Sequence, residues 1–210
     1  MCKVPEEICE KILMMERADT EITRRLRESG ELQKYGYHPR LKVLHSQNGA
    51  ALQKIIERYG FPTRSGCGER VYLAAWLIVQ HDIGAPDFMR MCRDLFEGYS
   101  REEVALRERA YLQDRIAFYE RRPQRFGTQF DYNLHGEMEV WWLEDKSKVA
   151  VWREQAGLPP LEEALRAFDS YPRVSEETAK AMRREQEDWL MQTGWCTRRD
   201  IEKYYLLCGK

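Results

Sequence analysis

The segment Glu69–His81 reads ERVYLAAWLIVQH and contains an unbroken run of apolar residues at positions 71–79. A helix that is apolar on every side has to be covered by other elements, so this run predicts a central helix over about 69–81. The run is shorter than the roughly 18 residues that a membrane span requires. Gly84 and Pro86 follow it and mark its end.

Apolar residues recur at helical spacing on both sides of this run. They predict helices over 5–29, 40–59, 87–98, 100–121, 145–156, 160–169, 175–192 and 197–207, of which the one over 100–121 opens at a capping box, Ser100 to Glu103. Residues 126–132 and 138–142 instead alternate between apolar and polar around a turn, as in a β-hairpin. The sequence therefore predicts a mostly α fold, a helical bundle around the central helix with one small β-hairpin over about 126–142.

Length and charge bound the class of protein. The chain has 210 residues, 34 Lys and Arg against 35 Asp and Glu, and a net charge of -1. This balance argues against a nucleic-acid-binding surface, and the start of the chain lacks the layout of a signal peptide. We expect a cytoplasmic protein with no membrane partner. Residues 1–169 are predicted to form a helical core domain, and residues 170–210 a helical extension that could carry the contacts of a homo-oligomer.

The cysteines give no metal motif. Six are scattered along the chain without a C-x-x-C pair. Cys67 lies between Gly66 and Gly68 just before the central helix, where the helix dipole could activate a thiol. A turn that merely contains a cysteine is the favoured interpretation.

Polar residues interrupt the apolar faces of the two most hydrophobic helices. His45 and Asn48 occupy central positions on the apolar face of the helix over 40–59, and His81 continues the face of the central helix after Gln80. A buried polar group without a partner costs about 1–3 kcal/mol, so these side chains should have partners or face a cavity. Histidine suits proton transfer near neutral pH. A core histidine bonded to a backbone carbonyl is the alternative.

A second group of candidates follows in the chain. Arg115 lies one helical turn from Tyr111 and from Tyr119, and a guanidinium oriented in this way suits an anionic group. The basic loop over 121–129 contains two amides, Gln124 and Gln129, between a helix and the hairpin. Loops in such places often contact ligands.

The order of histidines and aspartates permits a metal site as an alternative. His45, then His81 with Asp82, then Asp114, follows the H…HD…D order of metal-dependent phosphohydrolases, which are also helical. The pattern is short and its spacing is loose.

Several motifs resemble a bacterial domain family of unknown function. These are Gly60-Phe61-Pro62, the stretch from Ala74 to His81, the stretch from Tyr111 to Arg115, and the stretch from Arg122 to Gln129. The resemblance covers about residues 10–165 and brings no activity with it. It implies that the family pattern includes His45, Asn48, Gln80, His81, Asp114, Arg115, Gln124 and Gln129. Family members usually carry valine in place of Cys67 and alanine in place of Asp82, which argues against a catalytic thiol and against the phosphohydrolase pattern.

Together these observations predict a metal-independent enzyme, a hydrolase, lyase or transferase, that acts on a small polar or anionic molecule. Its cofactors are left open. His45 and His81 are the predicted catalytic acid and base. The predicted substrate-binding residues are Asn48, Gln80, Asp114, Arg115, Gln124 and Gln129. The alternatives are a metal-dependent phosphohydrolase and a non-catalytic interaction or immunity module.

Overall fold

A computed structural model describes residues 4–32, 36–166 and 171–208. This part of the chain is mostly α, with ten helices and one two-stranded antiparallel hairpin, which confirms the predicted fold class. The chain forms two compact units, residues 1–105 and 106–210. In the described residues no helix has the length and apolar character needed to cross a membrane.

The first unit is built around the apolar helix. Its helices are α1 (Glu6–Glu28), α2 (Pro39–Tyr59), α3 (Arg64–Cys67), α4 (Glu69–His81) and α5 (Pro86–Glu97). The central helix is α4, which packs against α1, α2, α3 and α5. Burial of Tyr72, Ala75, Ile78 and Val79, each no more than 1% exposed, provides the apolar contacts that hold the five helices together.

The helix predicted over 100–121 begins later than expected. The Glu103 carboxylate does accept a hydrogen bond from the Ser100 backbone N–H, and the Glu103 N–H donates to the Ser100 carbonyl, but these bonds close an isolated turn. The next residues are held on α4 instead, because Val104 is fully buried and the backbone N–H of Ala105 donates to the Tyr72 hydroxyl at 3.0 Å. Tertiary contacts thus override the local signal, and the helix starts at Leu106.

The second unit combines five helices with the hairpin. The helices are α6 (Leu106–Tyr119), α7 (Val149–Gln155), α8 (Leu161–Arg166), α9 (Glu176–Thr193) and α10 (Arg198–Cys208), and the strands are β1 (Phe130–Tyr132) and β2 (Met138–Val140). The strands pair with Asp131 opposite Glu139, and they are shorter than predicted. Trp141 is buried against Tyr204 of α10, with ring centroids 4.5 Å apart, so the C-terminal helix contributes to the core of this unit. Residues 167–169 of the predicted helix over 160–169 lie outside the described residues.

Candidate functional site

Two histidines and one aspartate meet in the first unit. The Asp19 Oδ2 atom lies 2.7 Å from Nδ1 of His81 and 3.3 Å from Nε2 of His45. The two imidazole rings are 5.1 Å apart between centroids. We call Asp19, His45 and His81 the Asp–His–His cluster. The structure therefore brings the two predicted catalytic histidines together through a carboxylate that the sequence analysis did not single out.

Three helices position the cluster. Asp19 lies on α1 on the face that also carries Ile12, Met15 and Leu26, all of which are buried. His45 comes from the apolar face of α2, and His81 is the last residue of α4. Because α4 packs against both α1 and α2, the three side chains converge. The signal for Asp19 was present in the sequence as an acidic residue at helical spacing between Met15 and the apolar residues that follow it.

Tyr37 extends the hydrogen-bond network. Its Oη atom lies 2.9 Å from Nδ1 of His45 and donates to the backbone carbonyl of His81 at 3.3 Å. A hydroxyl carries one proton, so with that proton on the carbonyl the Nδ1 atom of His45 is the donor in the other contact. This residue precedes α2 and was not predicted to take part in the site.

The three side chains of the cluster differ in their exposure to solvent. The side chains of Asp19 and His45 are 2% and 7% exposed, whereas that of His81 is 32% exposed. Burial opposes ionisation of Asp19, but the hydrogen bonds and charges of the two imidazoles outweigh it and hold the pKa of Asp19 well below its ordinary value. The cluster thus contains a buried carboxylate whose histidine partner reaches solvent.

The two predicted amides of this unit behave differently. Asn48 donates from Nδ2 to the Met15 carbonyl at 3.4 Å, which ties α2 to α1 one turn before Asp19. Gln80 is 2% exposed, and neither polar atom of its side chain has a hydrogen-bond partner among the described residues. An unsatisfied buried amide is uncommon and costly. Their predicted contacts with a substrate stay predictions.

Asp82 directly follows His81 in the chain, and its carboxyl group packs against α2 near the cluster. Its side chain is 3% exposed, its Oδ1 atom has no hydrogen-bond partner in the described part of the chain, and its Oδ2 atom occupies the space next to Gly49. Burial raises the pKa of Asp82 from 3.8 to about 6, and the nearby His45 opposes this shift. The phosphohydrolase pattern paired Asp82 with the histidines, but the carboxylate in contact with both of them is Asp19.

Asp82→Asn should stabilise the metal-free protein above pH 6 and leave its stability unchanged at pH 3.5. Folding raises the pKa of this carboxyl from 3.8 to about 6, so its ionisation destabilises the fold increasingly between these pH values and by a constant amount above them. At roughly 1.4 kcal/mol for each unit of pKa, the gain at pH 7 should reach about 2–3 kcal/mol. Urea unfolding across this pH range in the presence of a chelator measures it. A difference that does not vary with pH would contradict the prediction.

Asp114 and Gln124, in the second unit, bind the loop that precedes the hairpin. The Asp114 carboxylate accepts hydrogen bonds from the backbone N–H groups of Arg125, Phe126 and Thr128 and from the Thr128 hydroxyl, at 2.9–3.1 Å. Burial raises the pKa of Asp114, and these four donors act against it. The Gln124 side chain exchanges two hydrogen bonds with the backbone of residue 129, both at 2.9 Å. These bonds give both side chains a role in holding the loop.

Arg115 and Gln129 also belong to the second unit. Arg115 is half-buried next to Tyr119, and its Nε atom has no hydrogen-bond partner in the part of the chain that the structure describes. Gln129 donates from Nε2 to the Thr128 hydroxyl at 3.1 Å. Binding of an anion by Arg115 and of substrate by Gln129 stay predictions.

Cys67 lines a cavity of about 580 Å³ in the first unit. Gly68, with a φ of 79°, separates the short helix α3 from α4 at this point. No residue of the Asp–His–His cluster lines the cavity, which is bounded by Val4, Tyr59, Gly60, Phe61, Thr63, Ser65, Gly66, Cys67, Tyr99 and Glu103. The cavity is therefore distinct from the cluster.

Comparison with known proteins places the chain in a family. A model of a family of unknown function, DUF6624, matches residues 6–173. The chain belongs to DUF6624. The match includes the Asp–His–His cluster and ends before α9 and α10. The predicted membership of an uncharacterised family is therefore confirmed. No curated protein and no solved structure matches the chain.

Proposed function

We propose that this protein is an enzyme that uses His81 as a general base, oriented by Asp19, on a small polar or anionic molecule. The observation that supports this proposal is the 2.7 Å contact between Nδ1 of His81 and Oδ2 of Asp19, combined with the partial exposure of His81. A carboxylate that accepts the Nδ1 proton of a histidine fixes the tautomer in which Nε2 is the proton acceptor. Such a pair is a means of activating water or a hydroxyl group.

The proposed chemistry is a proton transfer in two directions. The Nε2 atom of His81 takes a proton from water or from a substrate hydroxyl as that oxygen attacks, and the imidazolium that forms is stabilised by Asp19. The same Nε2–H then returns the proton to the leaving group. This sequence fits a hydrolase or a transferase, two of the three reaction classes that the sequence analysis named.

We assign His45 a positioning role in this mechanism. Its side chain is 7% exposed, and its two ring nitrogens face Tyr37 and Asp19. Because its Nε2 atom lies 3.3 Å from Oδ2 of Asp19, it limits the movement of this buried carboxylate and holds it in place for His81. This refines the sequence-based prediction, in which the two histidines shared the roles of acid and base.

His81→Ala should lower turnover by about 10²–10⁴-fold, the usual contribution of a general base. The assay uses a panel of chromogenic phosphate monoesters, phosphate diesters, carboxylic esters and amides, first with the wild-type protein to find a substrate. The matched control is His135→Ala, because His135 also pairs with a carboxylate, Glu176 at 3.1 Å, but on the exposed surface of the second unit. Equal activity of His81→Ala and the control on every substrate that the wild type converts would reject the proposal.

A further inference from the structure

The Asp–His–His cluster presents three ligand atoms of the kind that transition metals bind. Asp19 Oδ2, a ring nitrogen of His45 and a ring nitrogen of His81 all lie within 4.8 Å of one another. Two histidines and one carboxylate form a set found in catalytic zinc sites and in non-haem iron sites. Magnesium and calcium prefer sites made of oxygen atoms, so this set selects for the softer divalent ions.

One ring nitrogen of the cluster is buried without a hydrogen bond in the described part of the chain, and a cation would satisfy it. His45 Nε2 is buried and has no hydrogen bond within the described residues, although it lies 3.3 Å from Asp19 Oδ2. With Nδ1 of His45 donating to Tyr37, Nε2 carries a lone pair whenever the ring is not in the charged form that bonds to Asp19. Two lone pairs then face each other in a site with little access to water. A positive charge between them satisfies both atoms.

We propose that the Asp–His–His cluster binds one divalent transition-metal ion of the zinc class through Asp19 Oδ2, His45 Nε2 and His81 Nδ1. In a tetrahedral site with bonds of about 2.0–2.1 Å, two ligand atoms lie about 3.3 Å apart. The separation of Asp19 Oδ2 and His45 Nε2 already has this value at 3.3 Å, and the 2.7 Å separation of Asp19 Oδ2 and His81 Nδ1 has to widen by about 0.6 Å. His81 is the partly exposed member, so its ring can move by this amount with the least disturbance of packing.

The surroundings of the cluster also suit a metal site. A histidine that binds a metal through one nitrogen usually donates the other N–H to an oxygen, which fixes its tautomer. The Tyr37 hydroxyl, 2.9 Å from Nδ1 of His45, is placed to accept this bond. The exposed side of His81 leaves an approach for the ion and for a water molecule as the fourth ligand.

Metal binding by the cluster uses the residues of the proposed function but does not depend on turnover. In the metal-free state a proton lies between His81 and Asp19, and in the loaded state the ion replaces it. The two states compete for the same atoms. A metal that binds and inhibits would agree with His81 as the base, whereas a metal that turnover requires would replace that mechanism and leave the binding site in place.

The test is titration of chelator-treated full-length protein with Zn²⁺ by calorimetry and with Co²⁺ by visible absorption. We expect one ion per chain and the intense visible bands of a low-coordinate Co²⁺ site. Asp19→Asn and His81→Ala should each weaken Zn²⁺ binding at least 100-fold. His135→Ala should bind as the wild type does, and since all variants keep the six cysteines, binding by thiols is common to all of them.

Two results would overturn the inference. One is Zn²⁺ binding with equal strength to the wild type, Asp19→Asn and His81→Ala, which would place the ion elsewhere. The other is the absence of stoichiometric binding to a wild-type protein whose circular dichroism shows that it is folded. His81→Ala keeps the test decisive if Asp19→Asn does not fold, because the His81 side chain is 32% exposed and its loss disturbs packing least.

Discussion

Asp114→Ala should lower the free energy of unfolding of the second unit by about 3–5 kcal/mol. The Asp114 carboxylate is fully buried and accepts the hydrogen bonds of four donors from the loop over 125–128. Removing the acceptor leaves these donors without a partner, and each buried donor costs about 1–3 kcal/mol when it is unsatisfied. Relaxation of the loop toward water recovers part of this cost, so the single contributions do not add fully. Urea unfolding followed by circular dichroism measures the loss, and hydrogen exchange assigns it to residues 106–208.

The control for this prediction is Asp145→Ala. Asp145 also accepts hydrogen bonds from nearby groups, Ser147 and Lys148, but its side chain is 33% exposed, so water can replace it. We expect a change below about 1 kcal/mol for this variant. Asp114→Asn should lower the free energy of unfolding nearly as much as Asp114→Ala. The amide nitrogen of asparagine is a donor, and it would face the N–H and O–H donors of the loop. A loss below about 1 kcal/mol in both Asp114 variants would show that the loop is held by other contacts.

Patterns of apolar residues were sufficient to predict most of the fold. The run at 71–79 predicted a helix that other helices surround, and α4 indeed packs against four of them. Periodicity does not encode long-range contacts, and such contacts can prevent a helix from forming where the local sequence predicts it. The bond from the Ser100 N–H to the Glu103 carboxylate forms, but burial of Val104 and the hydrogen bond from Ala105 to Tyr72 place the start of the helix at Leu106. The short helix α3, capped by Thr63, has too few residues to show a period.

The candidate site could be predicted in part for the same reason. His45 and His81 stood out because they are polar residues on apolar faces, and the structure places their rings 5.1 Å apart. Asp19 gives the same signal on α1, but an acidic residue in a helix rich in charge is easily assigned to the solvent side. Asp114 and Gln124 show the opposite difficulty. Substrate binding by these two residues stays a prediction, but their polar atoms are hydrogen-bonded to the loop that precedes the hairpin, which no sequence pattern reveals.

Gly49→Ala should destabilise the first unit by about 2–3 kcal/mol, although alanine is the better helix former. A methyl group at position 49 would lie 1.8 Å from Oδ2 and 2.7 Å from Cγ of Asp82, and that carboxyl group is buried. Overpacking of this kind typically costs 1–3 kcal/mol, and a displaced polar group adds to it. It outweighs the gain of about 1 kcal/mol that alanine brings to a helix interior. Thermal and urea unfolding measure the difference.

The contact can be isolated with a double-mutant cycle. In an Asp82→Ala background the two closest atoms are absent, so Gly49→Ala should cost far less than in the wild type. Gly84→Ala is the matched control, because its added methyl would lie 3.8 Å from the nearest atom, in Tyr37, and should change stability by less than about 1 kcal/mol. Since His45 lies one turn from Gly49 on α2, the single variant should also disturb the Asp–His–His cluster, and weaker Zn²⁺ binding would report this. An equal cost of Gly49→Ala in both backgrounds would show that Asp82 is not what restricts position 49 to glycine.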